Sequence, residues 1–207
     1  MPSDLVLDNG NPAGNFYDKY GSSNPIVKQM MRGFFDTVIG FARRTGVESV
    51  HEVGCGEGHL STLLHENGFA VRGSDLSADV IDIATRNAAS QHQGITYKIA
   101  GIEDLDVSSD GAPLVVCCEV LEHVEDPTAA LTKLTQLASP YLLVSVPREP
   151  LWRVLNLCRG RYITAAGNTP GHIQHWSSSQ FVNLLRQHVE VIDLAQPLPW
   201  TVALCKQ

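Results

Sequence analysis

The sequence predicts a doubly wound α/β fold in a single domain, and three observations carry that reading. Short apolar runs alternate with amphipathic helical segments from Ser49 onward, the rhythm of a parallel sheet covered on both faces. The last two strand-like runs are joined by a connection too short to hold a crossover helix, so they form an antiparallel hairpin at an edge. The chain has 207 residues, enough for one sizeable core and hardly enough for two.

The elements follow in order. In residues 25–44 the apolar positions Ile26, Met30, Phe34, Phe35, Val38 and Phe41 recur at helical spacing, and residues 1–45 together read as an N-terminal lid. Ser49–Val53 is the first strand of the sheet, followed by a helix over 58–67, a strand over 70–73, a helix over 78–90 and a strand over 95–99. A strand at 114–118, a helix at 127–138, a strand at 141–146 and a helix at 177–187 continue the alternation. Residues 189–194 and 201–205 are the closing strands. Residues 147–176 break the rhythm between a strand and a helix. A connection of that length tends to be functional, and it emerges at the carboxyl ends of the strands, where open α/β sheets bind ligands. It carries Arg148, Arg153, Arg159 and Arg161 and reads as a substrate cap, with Arg148 and Arg153 suited to an anionic acceptor and Trp152, Tyr162 and Trp176 to a ring or sugar.

Composition excludes several classes. Fifteen basic against 22 acidic residues give a net charge of −7, which argues against a protein held to nucleic acid or an anionic membrane by general basicity. No apolar run approaches the roughly 20 residues a spanning helix needs, and the first residues lack the basic and apolar regions of a signal peptide. Five scattered cysteines with no C-x-x-C pair suggest neither disulfides nor a thiolate zinc site. A cytoplasmic protein, monomeric or homodimeric, is the expectation.

The stretch HEVGCGEGHLS, residues 51–61, carries the chemistry of a ligand loop. Gly54, Gly56 and Gly58 allow tight turns and close approach, and the following helix presents its N-terminus to whatever binds. Asp75 stands just past the next strand, where a carboxylate accepts the two hydroxyls of a ribose. His59 occupies the place where a dinucleotide fold wants its third glycine. Glu52, inside the preceding strand end, would repel a pyrophosphate and attract an ammonium.

Four motifs in order, EVGCGEG, GSDLS, GIEDL (101–105) and CCEVLEHVEDP (117–127), make residues 49–204 resemble the class I S-adenosylmethionine-dependent methyltransferases, with their Rossmann-like seven-stranded sheet. The resemblance implies that Glu52, Gly54, Cys55, Gly56 and Gly58 hold the methionine part and that Asp75 takes the ribose. It implies further that Leu76, Ile102 and Glu103 border the adenine, that Cys118 and Glu119 face the sulfonium, and that Tyr17 and Tyr20 close over the cofactor.

For the acceptor, the element Glu119-Val-Leu-Glu122-His123 resembles that of ubiquinone-biosynthesis O-methyltransferases and of terminal 2′-O-methyltransferases acting on small RNAs. The resemblance implies a Mg2+ site of Glu119, Glu122, His123 and His172, binding the vicinal oxygens of a diol, catechol or sugar. Without a metal, His172, His175 or His123 is the candidate general base, because an imidazole titrates near neutral pH. The leading expectation is O-methylation of a small molecule in cofactor or secondary-metabolite biosynthesis. The alternatives are an RNA-terminal 2′-O-methyltransferase, disfavoured by the net charge, and a non-catalytic S-adenosylmethionine-binding partner.

Overall fold

The computed structural model describes residues 7–8, 11–12, 24–91, 94–160 and 162–207. Tyr17, Tyr20 and Arg161 lie outside them. Near the N-terminus, β1 (Leu7–Asp8) and β2 (Asn11–Pro12) form a small antiparallel pair.

The 21-residue helix α1 (Pro25–Thr45) has clear sequence causes. Asn24 accepts a hydrogen bond from the Ile26 amide at its start, Pro25 presets the first turn, and Gly46 ends it in the left-handed region. Its buried stripe of Val27, Met31, Phe34, Val38 and Phe41 packs against the sheet beside Val202, Leu204 and Trp200. Anticipated as part of a lid, α1 is a core layer.

The sheet is built from β3 (Ser49–Val53), β4 (Ala70–Asp75), β5 (Thr96–Ile99), β6 (Ala112–Cys118), β7 (Ala138–Pro147), β8 (Glu190–Ala195) and β9 (Trp200–Lys206). Its seven strands run in the order β5-β4-β3-β6-β7-β9-β8. The first five are mutually parallel; β9 is antiparallel to both β7 and β8. The expected mixed sheet with an antiparallel closing hairpin is what forms, with the last strand inserted between its predecessor and β7. Strand order reverses between β3 and β6, so their carboxyl ends flank the switch point at which such sheets open a crevice.

On one face lie α1, α2 (His59–Glu66) and α3 (Ala78–Ser90); on the other lie α5 (Pro127–Leu137) and α7 (Ser178–Leu185). Ser77, Asp126 and Ser177 cap α3, α5 and α7 with their side-chain oxygens, and Ser177 forms a full capping box with Gln180. The short α4 (Val107–Asp110) precedes β6. Within residues 147–176 the structure adds α6 (Leu151–Cys158) and a 3-10 turn at Ile163–Ala165, neither of which stood out in the sequence.

Candidate functional site

The ligand loop begins where β3 ends. The amides of Gly54 and Cys55 both donate to the Ser74 carbonyl at 2.7 and 2.9 Å, and the Gly56 amide donates to the Asp75 carboxylate at 3.0 Å. The loop is thus stitched to the end of β4. Gly54, Gly56 and Gly58 all have left-handed φ, of 76°, 52° and 81°. Gly54 is also sterically required, since an added Cβ would lie 2.2 Å from Val120 Cγ2.

Glu52 is 4% exposed and takes a very short hydrogen bond from the Ser61 hydroxyl. Burial raises its pKa to about 8; the Ser61 hydrogen bond opposes that shift and the charge of Asp75 adds to it. Cys55 is buried beside it, and its thiol is raised far above the usual range by desolvation first and by Glu52 and Asp75 next. Asp75 ties the glycine loop to the turn after β4: one carboxylate oxygen accepts from the Gly56 amide and the other from the Ser77 amide. Leu76 follows it, 65% exposed, beside the turn of Gly101, half-buried Ile102 and exposed Glu103.

Cys118 ends β6 and Glu119 follows it. Burial raises the Cys118 thiol, which disfavours the thiolate form that a nucleophile requires. Glu119 sits in the left-handed region with φ of 61°. Its carboxylate accepts the Trp200 indole N–H at 2.6 Å and the Ser145 hydroxyl at 3.4 Å. That orientation aims Glu119 at the sheet's C-terminal strands.

Two residues on, a 3-10 turn, Leu121–His123, brings Glu122 and His123 against His172. One ligand atom from each of these three residues lies within 4.8 Å of those from the other two. Glu119, expected in the same set, is not among them, because Trp200 and Ser145 hold its carboxylate. Glu122 is 1% and His172 8% exposed. The two segments, some fifty residues apart in sequence, are joined by several hydrogen bonds. The Glu122 carbonyl accepts the amides of Ile173 and Gln174 at 2.9 and 3.0 Å, and the Gln174 side chain donates to the carbonyls of Val124 and Glu125. His123 Nδ1 donates to the Gly171 carbonyl at 2.9 Å. A carbonyl only accepts, so Nδ1 carries the proton and the neutral ring presents Nε2 as its basic nitrogen. The rings of His123 and His172 meet edge to face with centroids 4.8 Å apart.

The remaining acceptor candidates fall outside this cluster. His175 Nε2 accepts from Arg153 Nη2 at 3.2 Å, and its Nδ1 lies 3.8 Å from Glu149. Its pKa is lowered by partial burial first and by Arg153 next, so the ring is neutral and its lone pair is engaged. Arg148 donates to Gln196 at 2.7 Å. Trp176 packs on Phe181 at the edge of the core, Trp152 lies along His172, and Tyr162 opens a turn whose carbonyl accepts two amides. Reading from the sequence missed Glu149 and Trp200, which carry no motif and meet their partners only through the fold.

Residues 28–188 match the family model described as a methyltransferase domain. The ubiquinone biosynthesis O-methyltransferase of Coxiella burnetii (strain RSA 331 / Henzerling II) is 28% identical over 198 residues, 88% of this chain and 80% of that protein. That of Methylococcus capsulatus (strain ATCC 33009 / NCIMB 11132 / Bath) is 28% identical over 81% of this chain and 76% of its own length. Among solved structures, magnesium protoporphyrin IX methyltransferase from Synechocystis PCC 6803 with bound S-adenosylhomocysteine superposes with a TM-score of 0.70 at 19% identity, covering 92% of this chain and 93% of that one. The N-methyltransferase NodS from Bradyrhizobium japonicum WM9 gives 0.67 at 16% identity, over 89% and 98%. One fold therefore serves more than one acceptor atom. With the glycine loop, the Asp75 carboxylate and the seven-stranded sheet in place, the chain belongs to the methyltransferase-domain family and is a class I S-adenosylmethionine-dependent methyltransferase.

Proposed function

We propose that this methyltransferase transfers the methyl group to a hydroxyl of a small molecule bearing adjacent oxygens, such as a catechol or diol, at a cation site made by Glu122, His123 and His172. The observation that carries the reading is the convergence of those three side chains within 4.8 Å, beyond the carboxyl end of β6. The names of the curated relatives, O-methyltransferases of ubiquinone biosynthesis, point to the same acceptor chemistry.

The donor set fits a divalent cation. Two imidazoles and one carboxylate suit Mn2+ and its neighbours better than Mg2+, which prefers oxygen ligands throughout. A cation held there would lower the pKa of a coordinated hydroxyl, the one activation that methyl transfer to oxygen requires. The protein's own groups do the rest. Glu52 anchors the methionine part of S-adenosylmethionine and Asp75 its ribose, Leu76 and Ile102 flank its adenine, and the glycine loop lets the main chain come close. Burial of Cys55 and Glu52 makes that side of the crevice poor in water, which favours displacement at a sulfonium carbon. His123, with its tautomer set by Gly171, and His172 are the bases nearest the acceptor's proton if the cation site is emptied.

Chelation tests the proposal. Turnover of a catechol acceptor should vanish in EDTA and return with Mn2+, and Glu122→Gln should lower kcat by about 100-fold, with S-adenosylhomocysteine affinity unchanged. Full turnover in chelator would overturn the cation site. Methylation of an RNA 3′ end in preference to a catechol would overturn the acceptor class.

A further inference from the structure

His172 is carried by a loop, and the fold gives that loop an unusual support. From α6, the half-buried Trp152 donates its indole N–H to the Thr169 hydroxyl at 2.9 Å and lies nearly parallel to the His172 ring, at 22° and 5.9 Å between centroids. One turn along the same helix, Asn156 is 1% exposed and donates to both the Gly167 carbonyl at 2.9 Å and the Thr169 hydroxyl at 3.2 Å. Its side-chain oxygen accepts from Arg159 at 2.5 Å. Both donors of this buried amide are thus assigned, and both end on the loop. The Thr169 carbonyl then takes the His172 amide at 3.1 Å, closing the turn that bears the ring.

The contact is close as well as polar. Gly167 has φ of 78°, and a Cβ there would stand 2.3 Å from the Arg153 carbonyl. The loop therefore runs directly over the α6 backbone. A buried asparagine whose donors serve a neighbouring loop is more than packing filler, because an apolar residue would fill the space without fixing where Gly167 and Thr169 lie.

We infer that Asn156 and Trp152 are positioning residues for the cation site: through Gly167 and Thr169 they hold the His172 ring in reach of Glu122 and His123. The inference rests on the cation reading above and adds to it. The segment that reads in sequence as a substrate cap acts in part as the outer support of the metal-binding set, with α6 as its rigid element. Outer partners of metal-bound histidines commonly change metal affinity by about 10- to 100-fold when removed.

The test is Mn2+ binding followed by the electron paramagnetic resonance signal of the free ion, with S-adenosylhomocysteine binding measured by calorimetry on the same preparations. Asn156→Ala and the isosteric but donor-poor Asn156→Asp should each weaken Mn2+ binding by about 10-fold or more and leave S-adenosylhomocysteine affinity within twofold of the unaltered protein. Trp152→Phe, which keeps an aromatic ring beside His172 and removes the donor to Thr169, should lie between these variants and the unaltered protein. If the unaltered protein binds Mn2+ and Asn156→Ala binds it equally well, the positioning role is overturned while the cation site stands. If the unaltered protein takes up no Mn2+, the cation site itself fails and the inference with it. Should Asn156→Ala lose both ligands together through misfolding, Trp152→Phe decides: undiminished Mn2+ affinity overturns the inference, and a selective loss supports it.

Discussion

Glu52 illustrates how one buried carboxyl sets a pH dependence. Its folded-state pKa is about 8 against an ordinary value of 4.5, chiefly because burial penalises its charge. Below pH 4.5 folded and unfolded chains both hold this proton, and the group is neutral in its effect. Between 4.5 and 8 only the folded chain holds it, so the contribution to stability declines as pH rises, and above 8 the full penalty is present. Thermal unfolding of the ligand-free protein should accordingly shift to lower temperature between pH 5 and about pH 8.5, and Glu52→Gln should flatten that slope. An equal slope in the variant would remove Glu52 as its source. Asp75 is the other residue whose place its motif made legible: the expectation is a position just past a strand, and it is the last residue of β4, accepting from Gly56 and Ser77. Asp75→Ala should weaken S-adenosylhomocysteine binding by about 10-fold in calorimetry, since ribose contacts and loop anchorage go together. Unchanged affinity would sink the ribose assignment. Glu119 was not legible in the same way. Its place in a Glu-x-x-Glu-His run suggested a ligand, whereas its direction depends on its left-handed backbone and on a tryptophan 81 positions away.

Elements that repeat a simple pattern were readable, and elements shaped by long-range contacts were not. β3 begins and ends where alternation with the glycine loop put it, α3 spans the 78–90 that its spacing predicts, and α5 begins at Pro127 as expected. By contrast, α6 is amphipathic by spacing yet exposes Val154 and Leu157 while burying Asn156, so its burial does not follow hydrophobicity. With Pro147 and Pro150 before it and Gly160 after it, the segment reads as loop. Asn156 and Trp152 find their partners in the segment after the helix, which no local pattern announces. The glycine loop and the turn after β6 show a second such coupling. Gly54 leaves no space for a methyl group beside Val120, and its φ is disfavoured for any other residue. Gly54→Ala should therefore destabilise the protein by about 1–3 kcal/mol in denaturant unfolding and disturb the turn that carries Glu122 and His123. Adding Val120→Ala should recover part of that loss by removing the clashing methyl, while the backbone strain remains. A double variant no more stable than Gly54→Ala would show that the clash with Val120 is not the cause.

At the scale of the whole molecule, the doubly wound order was legible because each strand and helix announces its layer, but the way the last strand closes the site was not. Trp200 begins β9 and lies against Phe34 of α1, with ring centroids 4.9 Å apart, and against Trp152 of α6 at 6.0 Å. Trp152 in turn lies along His172, and His172 meets His123. A row of aromatic rings thus runs from the first core helix, through the C-terminal strand and the cap, to the candidate cation site. The Trp200 N–H leaves this row to hold the Glu119 carboxylate. Packing and hydrogen bonding at this residue can be separated experimentally. Trp200→Phe keeps a ring between Phe34 and Trp152 and removes the donor to a charged acceptor, an interaction worth about 1.5–3 kcal/mol. For a chain of this size that corresponds to a fall in Tm of roughly 3–12 °C. Trp200→Ala also empties the ring's place in the core and should unfold at a still lower temperature, by a further 1–2 kcal/mol at least, on the order expected for buried aromatic side chains. If Trp200→Phe unfolds at the same temperature as the unaltered protein, the Glu119 bond contributes nothing net, and the orientation of Glu119 must be ascribed to its backbone and Ser145 alone.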